Sequence, residues 1–348
     1  MLLSAEFNEP SMIISRAPLR ISFVGGGTDL PAVYRQFGGQ VLSTTIDKYV
    51  YFAIKPTPLV DSIIVKYRNI EVARHPSEIA HSRIREALIK HAIITEGIEI
   101  ASFADVPAKT GLGSSSTFTV ALLAGLWAYQ RKDFTAQMIA QEACELEINI
   151  INEPIGKQDQ YAAAFGGWNI FRFYKDERVE REKILLDETT EKKVLSHILL
   201  IYTGMTRDAG AILSKQHQDI NAKLDVYKKM AAMVPPFAEA LLEGNVKKMA
   251  ELLHEGWQYK RSLSAAISNN ALDILYEAGI NAGAWGGKIL GAGGGGCLLF
   301  IAPSEIHENI KMAISKAIHG REASIRPIPF SFSKKGVEVV FDSNKIYT

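Results

Sequence analysis

Strand-like and helix-like patterns of apolar residues alternate along the first half of the chain. Short β-rich runs predict strands over 13–24 (interrupted at Pro18), 49–54, 63–67, 98–106 and 168–174. Apolar residues at helical spacing predict helices over 82–92, 114–130 and 135–150, and a short helical stretch that ends at 165. Thr135 is of the type that caps a helix N-terminus, so we expect the third of these helices to begin there.

The second half of the chain repeats this mixture after a polar segment over 175–193. Strands are predicted near 198–202, 287–290, 297–301, 324–332 and 337–341, and a helix over 304–318. Such a mixture is typical of α+β domains with largely antiparallel sheets, not of a doubly wound parallel sheet. We therefore predict an extension over 1–11 that lies outside the fold, and two domains over 12–185 and 186–348.

Composition places the chain among ordinary folded proteins. Its 348 residues correspond to about two domains, and a hydrophobic fraction of 47% excludes intrinsic disorder as the main state. The 39 basic and 38 acidic residues leave a net charge of +1, which gives no electrostatic reason to expect a nucleic acid or an anionic membrane as partner. Any anionic ligand therefore has to be held by local chemistry.

The sequence indicates neither export nor a disulfide framework. No window of about 18 apolar residues predicts a membrane helix, and Glu6 and Glu9 stand where a signal peptide would carry positive charge. The two cysteines, Cys144 and Cys297, lie in apolar surroundings and are typical of buried free thiols. We therefore expect a cytoplasmic protein.

Three glycine-rich stretches, over 16–29, 107–116 and 288–297, carry the candidate chemistry. The second follows a predicted strand and opens a long apolar helix. Its glycines let the backbone approach a ligand, and the helix N-terminus offers unpaired N–H groups and partial positive charge. Three consecutive serines add hydroxyl groups, so this stretch is a candidate seat for nucleotide phosphates. A tight turn with a serine N-cap would show the same local pattern.

Common phosphate-binding motifs do not explain these stretches. The Walker pattern fails because Ala282 stands where its first glycine is required. Gly291, Gly293 and Gly296 have the spacing of the dinucleotide fingerprint, but that fingerprint must open a helix and here it runs into a strand-like apolar segment. The signature set of protein kinases is not found either.

Taken in order, the three stretches resemble the three motifs of the GHMP kinase superfamily, which includes galactokinase, mevalonate kinase and homoserine kinase. The resemblance extends from Arg16 to Cys297. It implies a two-domain α+β GHMP kinase fold, with an N-terminal domain similar to ribosomal protein S5 domain 2 and a ferredoxin-like C-terminal domain. The active site would lie between these domains.

The resemblance also implies catalytic and nucleotide-binding residues. Asp159 matches the family's catalytic aspartate, a general base toward a hydroxyl group, and Arg20 matches a basic residue that would keep this carboxylate ionised. On the residues alone, a helix-start carboxylate and a surface arginine are the alternatives. The implied contacts to ATP are Lys109, Gly111, Leu112, Gly113, Ser114, Ser115, Ser116, Gly293 and Gly294.

Mg²⁺ is the cofactor that the resemblance implies, since it bridges the phosphates of ATP and needs hard oxygen ligands. Ser115 matches the family's metal-binding serine. Glu147 matches the metal-binding glutamate better than Glu145 does, but its offset from Asp159 differs by one residue from the mevalonate kinase pattern. Either glutamate could instead lie on a solvated helix face.

The first glycine stretch reduces the number of substrate classes that the resemblance allows. Galactokinases carry Gly-Glu-His before Thr-Asp, whereas a run of three glycines precedes Thr-Asp here. Together with segments 156–167 and 202–207, this looks closest to bacterial D-glycero-D-manno-heptose 7-phosphate kinases, which phosphorylate the C1 hydroxyl for GDP-heptose and surface glycans. The implied sugar-phosphate contacts are Gly26, Gly27, Thr28, Asp29, Thr203, Gly204 and Arg207, with Lys157 and Arg172 as alternatives to Arg207 for the far phosphate.

Other functions remain open at this point. A sugar 1-kinase of the fucokinase or galactokinase type would need no site for a far phosphate. A non-catalytic sugar sensor on the same fold would not need Asp159, Arg20 and the serine run together. A mevalonate- or homoserine-type kinase is a further alternative, and a homodimer is compatible with the sequence.

Overall fold

A computed structural model describes residues 12–94, 97–205, 220–317 and 325–345. Within these ranges, nine strands form the larger sheet in the order β13-β1-β2-β5-β3-β4, while β12 and β6 also pair with β2, and β7 pairs with β6. The strands of this sheet are β1 (Ile13–Val24), β2 (Gly39–Pro56), β3 (Ile63–Lys66), β4 (Ile70–Ala73), β5 (Ile98–Ala104), β6 (Trp168–Phe173), β7 (Val179–Ile184), β12 (Phe332–Ser333) and β13 (Glu338–Asp342).

A smaller sheet belongs to the second half of the chain. Its four strands within the described ranges have the order β11-β8-β10-β9, and they are β8 (Ile198–Tyr202), β9 (Gly286–Ile289), β10 (Cys297–Ile301) and β11 (Arg326–Pro327). All of its pairings are antiparallel, and in the larger sheet β3 and β5 pair in parallel. The predicted α+β class with largely antiparallel sheets is confirmed.

Helices cover both sheets. In the first half they are α1 (Pro31–Phe37), α2 (Ser82–Lys90), α3 (Ser114–Tyr129), α4 (Ala136–Cys144), α5 (Gln158–Phe165) and α6 (Glu188–Ser196). In the second half they are α7 (Leu224–Ala232), α8 (Val234–Leu242), α9 (Val246–Leu263), α10 (Asn270–Asn281) and α11 (His307–Ala317). Within the described part of the chain, no helix has the length and apolar composition that crossing a membrane requires.

Helix α3 lies at the centre of the first half and carries the serine run at its N-terminus. It packs on β1 and β2 and contacts α4 and α5, and it is buried on all sides along most of its length. A helix that is apolar all round is typical of a core position. The rigid core therefore fixes the position of the first turn of α3, where the candidate phosphate seat lies.

Two elements differ from the predictions in an informative way. Strand β1 runs without a break through Pro18, because register shifts near this residue absorb the missing N–H donor. The helix predicted over 135–150 begins at the Thr135 cap, whose side chain accepts a hydrogen bond from Met138 N. It is α-helical only to Cys144 and continues as a π-helical turn over Glu145–Ile150.

The end of the chain returns to the larger sheet. Strand β13 pairs with β1, with Ile13 opposite Asp342, and β12 pairs with β2. The two cysteines are free and buried, as predicted. The domain limits at 12–185 and 186–348 stay a prediction, and the strand pairing adds that Phe332–Ser333 and Glu338–Asp342 belong to the larger sheet. We call the part of the protein around the larger sheet the first lobe and the part around the smaller sheet the second lobe.

Candidate active site

The second glycine stretch forms a tight loop directly before α3. Gly111 and Gly113 both have positive φ, +79° and +76°, and Gly113 is the residue that precedes the helix. A Cβ atom on Gly111 would clash with the carbonyl oxygen of Leu290. Ser115 is exposed in the first turn, while Leu112 and Ser116 are buried and Ser114 is half-buried. The loop therefore presents backbone and hydroxyl donors at the positive end of a buried helix.

Asp159 and Arg20 meet beside this loop. Arg20 donates from Nε and from its second terminal nitrogen to the two carboxylate oxygens of Asp159, at 2.7 and 2.8 Å, and from its first terminal nitrogen to Gly111 O at 2.6 Å. A Cβ atom on Gly113 would lie 3.3 Å from Asp159 Oδ2. The structure thus brings the proposed base and the proposed phosphate loop into one place, although 139 residues separate Arg20 from Asp159.

The third glycine stretch packs on the second. Cys297 N donates to Thr110 O at 2.9 Å, and a Cβ atom on Gly291 would clash with Gly111. Gly294 N donates to Ile267 O at 2.7 Å. The third stretch, with Gly293 and Gly294, therefore forms a packed turn against the loop.

The first glycine stretch joins β1 to the start of α5 through Asp29. The carboxylate accepts hydrogen bonds from Gly27 N at 2.9 Å, from Gln158 Nε2 at 2.9 Å and from Gln158 N at 3.1 Å. Asp29 is 2% exposed, and burial together with the charge of Asp159 raises its pKa. The predicted ligand for a sugar hydroxyl therefore already holds this loop against the helix that carries Asp159.

Other predicted substrate contacts are also engaged within the protein. The Thr28 hydroxyl donates to the carbonyl oxygens of Gly25 and Gln40 and accepts from Gln40 N. The Thr203 hydroxyl donates to Gly296 O at 2.7 Å, so Thr203 and the adjacent Gly204 lie at the end of the third glycine stretch. In the first glycine stretch, Gly27 is half-buried, whereas Gly26, Thr28 and Asp29 are buried.

The predicted cations for a far phosphate are paired with carboxylates or lie outside the described residues. Lys157 Nζ lies 2.6 Å from Glu177 Oε2, and Arg172 pairs with Glu182 on the neighbouring strand. Arg207 lies outside the described residues.

Glu147 is the inward-facing one of the two candidate metal-binding glutamates. It is fully buried within the π-helical turn, where an extra residue per turn changes the direction of the side chains. Its carboxylate accepts from Arg83 Nε at 2.8 Å, Thr119 Oγ1 at 2.7 Å and Gln160 Nε2 at 2.6 Å. Glu145 instead points outward and pairs with Lys90.

Ser115 and Glu147 are the residues that would share a magnesium ion with the phosphates. Thr119, which donates to Glu147, lies one helical turn after Ser115, and its hydroxyl is 3.5 Å from the backbone oxygen of Ser115. The Glu147 carboxylate is fully buried and both of its oxygens already accept hydrogen bonds, so it would have to exchange one of these contacts for the ion. Hydroxyl and carboxylate groups are both hard oxygen donors, and Mg²⁺ in kinases typically takes one or two protein ligands besides phosphates and water. Within the described ranges no group of three or more His, Cys, Asp or Glu side chains could hold a metal ion by itself.

Two buried lysines from the second lobe escaped the sequence reasoning. Lys260 on α9 donates to Gly291 O, and Lys288 on β9 donates to the carbonyl oxygens of Ser22 and Phe23 at 2.9 and 2.8 Å. Burial lowers the pKa of Lys260 to about 8, and burial lowers the pKa of Lys288 well below its usual value. Lys260 lies in no motif, and Lys288 opens the third glycine stretch without a pattern that marks it as part of the site, because each meets the first half of the chain only through the packing of the two lobes.

Comparison with known families agrees with the fold and with the order of the motifs. The model for the GHMP kinases N terminal domain matches residues 78–167, and the model for the GHMP kinases C terminal domain matches residues 237–318. The first match contains the serine run and Asp159, and the second contains α9 and the third glycine stretch.

Similar proteins match over nearly the whole chain. D-glycero-alpha-D-manno-heptose 7-phosphate kinase of Campylobacter jejuni is 28% identical over 346 residues, which cover 94% of this chain and 98% of that protein. A crystal structure of a D-glycero-D-manno-heptose 1-phosphate kinase from Bacteroides thetaiotaomicron superposes with a TM-score of 0.72 at 24% identity, and covers 94% of this chain and 99% of the other.

A more distant solved structure has the same fold. Galactokinase from Lactococcus lactis, complexed with galactose, superposes with a TM-score of 0.73 at 16% identity, covering 94% of this chain and 95% of the other. The expected two-domain architecture is therefore confirmed. The two domain models match in the expected order, so the chain contains the N-terminal and C-terminal domains of the GHMP kinases.

Proposed function

We propose that the chain is an ATP-dependent kinase that phosphorylates the C1 hydroxyl of D-glycero-α-D-manno-heptose 7-phosphate to give the 1,7-bisphosphate. The observation that carries the transfer chemistry is the position of Asp159, held by Arg20 directly against the loop that ends at Gly113. The choice of sugar is supported by the Campylobacter jejuni relative, which is similar along almost its full length.

Asp159 acts as general base in this proposal. It takes the proton of the C1 hydroxyl while the hydroxyl oxygen forms a bond to the γ-phosphorus of ATP. The bond between that phosphorus and the β–γ bridging oxygen breaks, and ADP leaves with the electron pair. Arg20 orients the carboxylate with two parallel hydrogen bonds, and its third hydrogen bond fixes the loop at Gly111.

The nucleotide phosphates are assigned to the loop residues 109–116 and to Gly293 and Gly294 of the third stretch. Backbone N–H groups at the start of α3 point toward such a ligand. Ser115 and Glu147 would hold Mg²⁺, which supplies neutralisation of phosphate charge when it is bound. The reaction would take place in the cytoplasm and feed GDP-heptose for surface glycans.

The acceptor is assigned to the first glycine stretch. Gly26 lies close to Gln158, next to Asp159, and Gly27 lies close to Tyr227. Thr28 and Asp29 hold the shape of this loop. Thr203, Gly204 and Arg207 are assigned to the far end of the sugar phosphate.

A second candidate is a sugar 1-kinase that acts on an unphosphorylated sugar such as fucose. The observation that favours it is the pairing of Lys157 with Glu177 and of Arg172 with Glu182, because both cations already have carboxylate partners. For the heptose phosphate, this leaves Arg207 as the assigned cation for the far phosphate.

A coupled assay of ADP release decides between these functions. The purified protein is given ATP, Mg²⁺ and, in turn, the heptose 7-phosphate, the same heptose without phosphate, fucose, galactose, mevalonate and homoserine. We expect the highest kcat/KM with the heptose 7-phosphate and a new C1 phosphate signal by ³¹P NMR. The variant Asp159→Asn is assayed in parallel, and any ADP release that it shows measures the activity of contaminating enzymes. A preference for an unphosphorylated sugar would replace the first proposal by the second.

A further inference from the structure

Lys260 brings a positive charge from the second lobe to the contact between the second and third glycine stretches. It lies in the last two turns of α9, is 9% exposed and donates a hydrogen bond to Gly291 O. Gly291 packs on Gly111, whose carbonyl oxygen accepts a hydrogen bond from Arg20. The ammonium group therefore lies beside both the phosphate loop and the catalytic pair.

Arg20 is less suited to bind a phosphate, because its charge is already paired with the carboxylate of Asp159. Its Nε and both of its terminal nitrogens already donate to Asp159 and to Gly111 O. Lys260 is different because its partner, Gly291 O, is a neutral carbonyl oxygen that takes one of the three N–H donors of the ammonium group. Among the described residues, Gly291 is the hydrogen-bond partner found for Lys260 Nζ, so two donors remain for a ligand.

Lys288 does not compete for this role. Its ammonium group is anchored by two carbonyl oxygens at the end of β1, at 2.9 and 2.8 Å. These two hydrogen bonds link β9 to β1. The positive charges of Lys288 and Lys260 repel each other, but the ammonium group of Lys288 is held by β1 and not by a glycine of the third stretch.

The charges around Asp159 also require an additional cation. Asp29 and Asp159 influence each other electrostatically, and an incoming γ-phosphate would add further negative charge beside them. Arg20 is neutralised by Asp159. A cation with free donors stabilises the charge of a phosphoryl group that moves from ATP to the acceptor, and Lys260 is a buried cation at the contact between the second and third glycine stretches.

We propose that Lys260 is a catalytic residue that binds the terminal phosphoryl group of ATP during its transfer to the acceptor hydroxyl. The phosphoryl group exchanges its bond to the β–γ bridging oxygen for one to the acceptor oxygen, the acceptor proton goes to Asp159, and Lys260 stays protonated throughout. The proposal rests on phosphoryl transfer from ATP, but it does not depend on which sugar accepts the group.

The protonation of Lys260 gives this role a pH signature. Burial and the charge of Arg20 lower its pKa to about 8 in the ligand-free protein, while Asp29 and Asp159 act in the opposite direction and Lys288 is a further cation nearby. The charged form is lost as the pH rises through this value. We expect kcat/KM for ATP to fall above about pH 8, and the fall to move to higher pH in Lys260→Arg, whose guanidinium stays protonated.

The test compares nucleotides that differ in the terminal phosphate. Dissociation constants for ADP and for a non-hydrolysable ATP analogue are measured by calorimetry, without sugar, for the wild type, Lys260→Met, Lys260→Arg and Lys248→Met. Lys248 is an exposed lysine on the same helix that pairs with Glu251, and it serves as the matched control. We expect Lys260→Met to raise the dissociation constant of the ATP analogue by about tenfold or more and that of ADP by less than about twofold. Lys260→Arg should restore part of the difference, and Lys248→Met should behave as the wild type.

Equal effects of Lys260→Met on both nucleotides, or no effect on either, would overturn the proposal. If Lys260→Met has a lower melting temperature than the wild type, the pH profile of Lys260→Arg decides alone. An unchanged fall of kcat/KM for ATP at alkaline pH counts against the assignment, and a fall displaced to higher pH supports it. Failure of the wild type to phosphorylate any sugar of the panel would refute the proposed function, whereas the nucleotide comparison would still give its own answer about Lys260.

Discussion

Replacing Arg20 by methionine removes the group that links the base to the phosphate loop. Arg20→Met keeps an unbranched apolar stem but breaks three hydrogen bonds, two to Asp159 and one to Gly111 O. The arginine side chain is 4% exposed and that of Asp159 is 23% exposed, so the carboxylate left behind recovers only part of its hydration.

The cost of this change follows from burial. Breaking a buried ion pair by removing one partner costs about 3–5 kcal/mol, and we take the lower end, about 3 kcal/mol, because Asp159 keeps some contact with water. At about 2–4 °C per kcal/mol for a lobe of this size, the melting temperature should fall by about 6 °C or more. Turnover should fall by about 10²–10³, within the range that a positioned general base contributes, because Asp159 loses the group that orients it.

The control is Arg16→Met on the same strand. Arg16 pairs with Glu338, but the two side chains are 30% and 22% exposed, so this partly solvated pair should cost less than about 1 kcal/mol. Melting is followed by differential scanning fluorimetry and turnover by ADP release. The reasoning is refuted if Arg20→Met melts within about 1 °C of Arg16→Met, or if its kcat stays within a few-fold of the wild type.

Three further changes test the site. Asp159→Asn should keep nucleotide affinity, measured by calorimetry, yet lose about 10²–10⁴ in kcat because the proton acceptor is gone; unchanged turnover would remove Asp159 as the base. Ser115→Ala should raise the Mg²⁺ concentration that half-activates the enzyme, since an exposed hydroxyl ligand is lost; an unchanged Mg²⁺ titration would exclude Ser115 as a ligand. Gly111→Ala should lower the free energy of unfolding by about 1–3 kcal/mol in thermal melts and raise KM for ATP, because residue 111 has a φ of +79° and the new Cβ atom would clash with Leu290 O. A wild-type melting temperature together with a wild-type KM would contradict the packing of the two loops.

Local features of the site were accessible from the sequence. Strand, glycine loop, serine run and helix follow one another within 98–129, so periodicity and turn chemistry suffice to predict that arrangement. The strand over 198–202 and the Thr135 cap were predicted for the same reason and are confirmed. The roles of Arg20 and Asp159 came from the resemblance to a family, since neither residue has a local pattern that separates it from a surface charge.

Features that depend on distant contacts were out of reach. Lys260 and Lys288 face the site because the second lobe packs on the first, and periodicity carries no information about such a contact. Glu147 turns inward through a π-helical turn that apolar spacing alone cannot distinguish from an α-helix. The engagement of Asp29 with Gln158 is likewise a contact across more than a hundred residues.

The pairing of β13 with β1 affects how the protein is made. The ribosome synthesises β1 more than 300 residues before β13, so one edge of β1 has no partner while the nascent chain grows through the whole second lobe. An unpaired edge strand is a template for pairing with other chains. Loss of residues 338–342, by a premature stop codon or by proteolysis, would leave this edge of β1 permanently open and make the shortened polypeptide prone to aggregate.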